Sequence, residues 1–111
     1  MANRKITPTV LRSLYNINGI SIANATQQVF ATLTQHYSPA DLLKHHRLYG
    51  LVETAKQVNI GNHSNDQVCI NSLNDCIEGN LDIQYLMGTS QGSTTTFMWL
   101  KHTTITFANW L

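Results

Sequence analysis

Charged side chains are scarce in this sequence. Only 12% of the 111 residues are charged, and the formal net charge is +1, whereas an average globular protein is about 25% charged. Proteins that bind nucleic acid need clustered lysine and arginine side chains against the phosphates. The composition therefore argues against a nucleic-acid partner, and a hydrophobic share of 42% argues against an acidic disordered tail.

Long apolar runs are also missing. The sequence has no stretch of about 18 apolar residues, which is what a transmembrane helix requires. Residues 1–8 lack the run of about 7–15 apolar residues that is typical of a signal peptide. We therefore predict no membrane partner and identify no signal for secretion. The length suits one domain or part of one.

The cysteines and histidines do not follow a metal-binding pattern. The two cysteines, Cys69 and Cys76, lie too far apart for the paired spacing of a zinc site. A local disulfide and two free thiols both remain open. The histidines show no H-x-x-x-H spacing, so we expect most of them on the surface or in loops. They are His36, His45, His46, His63 and His102.

Helix and strand signals alternate along the chain. Helices are predicted at residues 8–15, 39–49 and 78–87, strands at residues 27–33, 56–60 and 93–100, and a loop at residues 61–76. This order predicts an α/β fold with a mainly parallel sheet and crossover helices. Further apolar residues, Phe107, Trp110 and Leu111, are typical of the start of another helix, so we expect a truncated fold.

Two carboxylates on the third predicted helix are the main candidates for chemistry. Glu78 and Asp82 are four residues apart, so both side chains project from one helix face. Neighbouring carboxylates have separated pKa values and can act as a base and its partner. From spacing alone, two acidic residues stabilised by the helix dipole are the more common case. Ser90 has no partner base at a recognisable spacing and is predicted to be a turn hydroxyl.

Three sequence blocks point to a known family. They are E-G-N-L-D-I-Q-Y-L-M at residues 78–87, I-T-P-T-V-L-R-S-L-Y-N-I at residues 6–17, and H-Y-S-P-A-D-L at residues 36–42 with R-L-Y-G at residues 47–50. The first resembles the E-A-x-L-D-V/I-Q-Y-L/I-M helix of the sedolisin, or serine-carboxyl peptidase, family. The closest likeness is to its tripeptidyl-peptidase branch. The resemblance spans most of residues 6–100.

The resemblance implies a fold and a reaction. It implies that residues 1–111 are the N-terminal part of a subtilisin-like α/β catalytic domain that hydrolyses peptide bonds at acidic pH. Glu78 would be the general base that takes a proton from a serine nucleophile, and Asp82 would orient it. The expected partner is a peptide or protein substrate. Gly79 stands where the family usually has alanine, at a cost of about 1 kcal/mol in helix propensity.

Other family features are missing from these 111 residues. The S-G-T-S nucleophile motif, the oxyanion aspartate and the calcium ligands would lie further along the family sequence. We therefore expect no cofactor in this chain and no activity from it alone. Members of the family are secreted or lysosomal. The alternative is a non-catalytic interaction module whose partner covers the truncated core. The residues expected at such an interface are Phe97, Met98, Trp99, Phe107 and Trp110.

Overall fold

The computed structural model describes residues 5–19, 24–52, 57–61 and 64–100. The elements are α1 (Pro8–Leu14), β1 (Thr26–Ala31), α2 (Pro39–Tyr49), β2 (Gln57–Ile60), α3 (Asp66–Asn71), a 3₁₀ helix (Leu73–Asp75), α4 (Ile77–Thr89) and β3 (Thr94–Trp99). The predicted α/β class is confirmed. Within these ranges no helix has the length and apolar character that crossing a bilayer requires. The helix expected to begin near Phe107, Trp110 and Leu111, and with it the expected truncation of the fold, lies outside the described residues.

The first two helices begin as their local signals predict, and the second also ends as predicted. Thr7 Oγ1 accepts a hydrogen bond from the backbone N–H of Val10 at 3.2 Å, at the start of α1. Ser38 Oγ accepts one from the N–H of Asp41 at 3.0 Å, at the start of α2. Gly50 ends α2 with a left-handed φ of 62°, a conformation that glycine adopts without strain.

The sheet is fully parallel across its described strands. The order is β1-β3-β2, so the last strand in the sequence lies in the centre. Thr26 pairs with Thr94 at one end of β1, and Ala31 pairs with Trp99 at the other. Parallel strands need long crossover connections, and the segments that contain α2, α3 and α4 make them. The carboxyl ends of all three strands therefore lie at one edge of the sheet.

The core lies between α4 and one face of the sheet. Ile83 and Met87 of α4 belong to the same buried cluster as Val29 of β1 and Phe97 of β3. Leu81 of the same helix does not face this core, because it is 54% exposed. The helix instead turns Gly79, Ile83 and Met87, spaced four residues apart, toward the interior.

The predicted loop at residues 61–76 is also wrong. Asn65 Oδ1 accepts hydrogen bonds from the N–H groups of Gln67 and Val68 at 3.0 and 3.2 Å, and this cap starts α3. A disulfide joins Cys69 of α3 to Cys76, the residue before α4. The choice that the sequence left open is thus settled in favour of the disulfide. The bond and the cap stabilise helical structure in a segment whose composition is typical of loops.

The predicted ends of β1 and α4 differ from the structure by two residues each. The first strand ends at Ala31 instead of residue 33, because Leu33 and Thr34 take left-handed φ values of 54° and 64°. Helix α4 continues through Gly88 to Thr89. A Cβ atom on Gly88 would lie 2.9 Å from Pro8 Cγ, so this glycine permits α1 to pack closely on α4 and does not end the helix.

Candidate functional site

The start of α4 lies against the segment that follows β1. The backbone N–H of His36 donates to the carbonyl oxygen of Asp75 at 2.7 Å. The Gln35 side chain donates from Nε2 to Asn74 O at 2.9 Å and accepts at Oε1 from the N–H of Gly79 at 3.3 Å. These bonds fix the first turn of α4 beside the carboxyl end of β1.

Gly79 is what allows this close approach. A Cβ atom built on this residue would lie 2.1 Å from the carbonyl oxygen of His36, far inside any real contact. The alanine that the sedolisin motif usually has at this position would not fit without a backbone shift. The sequence predicted only a loss of helix propensity here, and the structure adds a packing reason for glycine.

Glu78 and Asp82 share a recess at this point. Both side chains line it, together with Phe30, Ala31, Thr32, Gln35 and Gly79. The recess therefore lies where β1 ends, between that strand and α4. In parallel α/β sheets, ligands bind outside the carboxyl ends of the strands. The structure thus brings the two candidate carboxylates together at an edge where such folds bind ligands.

The two carboxylates differ in their electrostatic environment. Glu78 is exposed and Asp82 is half-buried. Burial, and then repulsion from the Glu78 carboxylate, raise the pKa of Asp82 above the ordinary aspartate value. A carboxyl group with a raised pKa keeps its proton to higher pH and can then donate a hydrogen bond. The Glu78 carboxylate, one helical turn earlier on α4, is the candidate acceptor for that hydrogen bond.

Neither carboxylate is used to hold the fold together. Among the described residues, neither Glu78 nor Asp82 accepts a hydrogen bond or forms an ion pair. Asp66 is different, because its Oδ1 accepts from Ser38 Oγ at 2.7 Å and from the backbone N–H of Ala40 at 3.1 Å. The unpartnered pair is therefore free to interact with a group from outside this chain segment.

Asp82 also borders a larger apolar groove. This groove has a volume of about 460 Å³ and runs along β1 on the side of α4. Its apolar lining comes from Leu11, Val29, Phe30, Leu81, Tyr85 and Leu86. The Tyr85 hydroxyl donates to the carbonyl oxygen of Ile6 at 2.6 Å and so holds the segment before α1 in place. The recess with its two acids is thus adjacent to a surface that can accept an apolar side chain.

Ser90 lies at the opposite end of α4 from Glu78. The two are twelve positions apart in the sequence, which is about 18 Å along a helix axis. Ser90 Oγ lies 3.1 Å from Ser93 Oγ, in the turn that leads to β3. The prediction of a turn hydroxyl is confirmed, and Glu78 is too far away to take a proton from this serine.

The prediction that most histidines lie on the surface or in loops is confirmed for His36, which lies in the loop between β1 and α2, and is wrong for His45 and His46, which are buried residues of α2. His36, His45 and His46 are only 8%, 8% and 3% exposed. Helix α2 turns two of them inward together with Leu42. His63 and His102 lie outside the described residues. In the part of the chain that the structure describes, no three histidine, cysteine or acidic side chains group closely enough to hold a metal.

Two amide side chains near the recess were not identified from the sequence. Gln35 contacts the backbone on both sides of the Cys76 turn, and Asn80 Oδ1 accepts from the backbone N–H of Ser38 at 2.8 Å. Asparagine and glutamine carry no spacing rule that would single them out. The one available signal was Gly79, because a glycine inside a helical pattern often marks a close backbone approach.

No protein-family model matches the sequence, and no curated protein or solved structure shows significant similarity to it.

Proposed function

We propose that Glu78 and Asp82 are the catalytic carboxylate pair of a serine-carboxyl peptidase that cleaves peptide or protein substrates in acid. The observation that carries the proposal is their shared recess at the carboxyl end of β1. Both groups lack partners there among the described residues, and the pKa of Asp82 is raised. Perturbed, unpaired acids in a recess are typical of functional sites. The sedolisin resemblance of residues 78–87 supports the same assignment.

The chemistry suits an acidic medium. Glu78, the exposed member, accepts the proton of a serine hydroxyl as that oxygen attacks the scissile carbonyl. Asp82 in its protonated form donates a hydrogen bond to Glu78 and fixes the direction of its carboxylate. A histidine base would be protonated below about pH 6.5 and could not accept this proton. A carboxylate stays unprotonated, and so can act as a base, at pH values where histidine is already protonated.

The serine is the part that these 111 residues do not supply. The sequence has no S-G-T-S motif, and Ser90 lies at the far end of α4. A base without its nucleophile leaves only the small rate enhancement that binding provides. We therefore expect the 111-residue chain by itself to be inactive. The apolar groove beside Asp82 supports binding of an extended peptide with a large apolar side chain.

The experiment that tests this proposal starts from the transcript. Its complete open reading frame is sequenced, and the encoded product is expressed and assayed for peptide hydrolysis at about pH 3–5. We expect the frame to contain an S-G-T-S block and the product to be active. Glu78→Gln should lower kcat by about 10²–10⁴-fold, the usual contribution of a general base.

A matched control separates catalysis from helix electrostatics. Asp41 also lies in the first turn of a helix but outside the recess, so Asp41→Asn should leave kcat unchanged. The proposal fails if the frame encodes no such serine motif, or if Glu78→Gln is as active as the unmodified product. The expected inactivity would be overturned if the 111-residue chain hydrolysed peptides and the Glu78→Ala substitution abolished that hydrolysis.

A second candidate function rests on exposed apolar side chains. A groove of about 510 Å³ between α2 and α4 is lined by Leu48, Leu73, Ile77 and Leu81 among others. All four are more than half exposed, which is typical of an interaction surface. If the chain is a non-catalytic module, its partner would bind in this groove and cover these residues. A well-folded monomer in light scattering, with no cross-linked species, would count against it.

The residues first expected at such an interface are only partly available. Phe97 is fully buried in the core of the chain itself, so the expectation is wrong for this residue. Met98 and Trp99 are half-buried. Phe107 and Trp110 lie outside the described residues. The exposed leucine and isoleucine side chains of the α2–α4 groove are the better candidates.

A further inference from the structure

His45 occupies an unusual position between α2 and α4. Its ring centroid lies 4.8 Å from that of Tyr49 on α2 and 5.7 Å from that of Tyr85 on α4. The residue is 8% exposed. Both ring nitrogens are inaccessible, and neither has a hydrogen-bond partner among the described residues. The imidazole is therefore packed as if it were an apolar ring.

A proton on this ring would have no compensating interaction. A neutral imidazole buries one N–H group and one lone pair, whereas the imidazolium buries two N–H donors and a full charge. Burying an unpaired charge costs far more than burying an unpaired polar group. The packing of α2 on α4 thus requires the neutral form of His45.

The titratable and charged neighbours do not change this conclusion. On α2 they are Asp41 one turn earlier, Lys44, His46 and Tyr49, and on α4 the facing group is Tyr85. None of them forms a hydrogen bond with either ring nitrogen. The remaining polar groups of α4 in this groove, Asn80 and Gln84, are neutral. Glu78 and Asp82 line the recess beside β1 and not this groove.

The direction of the pH effect follows from linkage. Burial, and then the neighbouring His46, lower the pKa of His45 below the ordinary value of 6.5. The opened or unfolded segment therefore binds the proton more readily than the packed one. The stabilisation from the neutral ring is fully present above about pH 6.5 and is lost as the pH falls through the lower pKa of the packed state.

We propose that His45 is a proton-sensitive latch between α2 and α4. Its neutral ring holds the two helices together, and its protonation in mildly acidic solution releases α2 from α4. Release exposes the buried face of α2, with Leu42 among its residues. The latch does not depend on the peptidase proposal, because it rests on a different surface of α4.

Amide hydrogen exchange on the 111-residue chain tests the latch. Protection factors, corrected for the intrinsic exchange rate, are measured between pH 7.5 and pH 5. We expect the α2 amides to lose protection by up to tenfold for each pH unit below about 6.5, the limit for one proton. Amides of β1 and β3 should lose much less. His45→Phe keeps an aromatic ring but cannot be protonated, so its α2 protection should stay flat.

A matched variant and a direct titration complete the test. His36 is equally buried but packs against Trp99, so His36→Phe should keep the acid response of α2. If His45→Phe does not fold, NMR titration of the His45 ring in the unmodified chain decides, with an expected pKa below 6.5. A pKa at or above 6.5, α2 protection independent of pH, or equal loss in α2 and β3 would each overturn the latch.

Discussion

Asp66 and Glu78 both lie in the first turn of a helix and both are exposed, yet their surroundings differ. Asp66 Oδ1 accepts two hydrogen bonds that join α3 to the start of α2. Glu78 and its neighbour Asp82 accept none from the described residues. Exposure alone therefore does not distinguish a structural carboxylate from one available for chemistry. The two kinds of carboxylate are distinguished by whether the chain itself supplies hydrogen-bond donors to them.

The largest effect is expected where α4 meets His36, because this contact creates the recess. Gly79→Ala places a methyl group 2.1 Å from the His36 carbonyl oxygen. We expect it to lower the free energy of unfolding by about 3 kcal/mol, at the upper end of overpacking costs. At an ordinary helix site the same change would stabilise by up to about 1 kcal/mol. Urea denaturation measures the sign and the size.

Gly50 provides the control for this change. A Cβ atom at Gly50 meets nothing within 4 Å, and only its φ of 62° opposes a side chain. Gly50→Ala should therefore cost about 1 kcal/mol. A Gly79→Ala chain as stable as the unmodified one would show that α4 does not need its close approach to His36.

The next largest effect is expected from comparing the loss of the Asp66 carboxylate with the loss of the Glu78 carboxylate. Asp66→Ala removes the acceptor for both Ser38 Oγ and the Ala40 N–H. We expect a loss of about 1.5 kcal/mol, reduced from the full value of charged hydrogen bonds because the residue is exposed. Glu78→Ala, measured by the same urea titration, should stay within about 0.5 kcal/mol of the unmodified chain. Equal losses for the two variants would remove the distinction between them.

The smallest effect concerns the proton on Asp82. Because the pKa of Asp82 is raised in the folded chain, its contribution to stability is present below the unfolded pKa and is lost as pH rises through the folded value. Asp82→Asn should therefore stabilise the chain relative to aspartate at pH 7 by a few tenths of a kcal/mol. At pH 3 the difference should be smaller. Thermal unfolding at the two pH values measures it.

The role of Glu78 in this shift is checked by NMR. Glu78→Gln removes the carboxylate that is the second cause of the raised Asp82 pKa. Carbon-detected titration should then show the Asp82 pKa lower than in the unmodified chain but still raised by burial. An unchanged Asp82 pKa would mean that the two acids do not interact.

The elements that were predicted well are those with local signals. Helix α2 has a serine cap at its start and a glycine at its end, so neighbours in the sequence fix both boundaries. Helix α3 was missed although Asn65 caps its start, because the composition of residues 61–76 is typical of a loop and the spacing left the Cys69–Cys76 bond open. The inward direction of His45 depends on which face of α2 meets α4. That face is chosen by tertiary packing, which a single-sequence pattern does not contain.

The candidate site divides in the same way. The spacing of Glu78 and Asp82 was enough to place both on one helix face. The recess itself also needs Thr32 and Gln35, which lie more than 40 residues earlier in the sequence. The raised pKa of Asp82 comes mainly from burial and so follows from that long-range contact. Sequence spacing identified the acids, and only the fold supplied their environment.

The strand order also determines when the sheet can form. Strands β1 and β2 do not pair with each other, and each hydrogen-bonds only to β3 within the described sheet. Thr26 and its partner Thr94 are 68 positions apart, a separation that slows folding through the entropy of loop closure. During synthesis β1 and β2 emerge from the ribosome before β3 and remain unpaired until β3 is available. The sheet can therefore be completed only after residue 99 has left the ribosome.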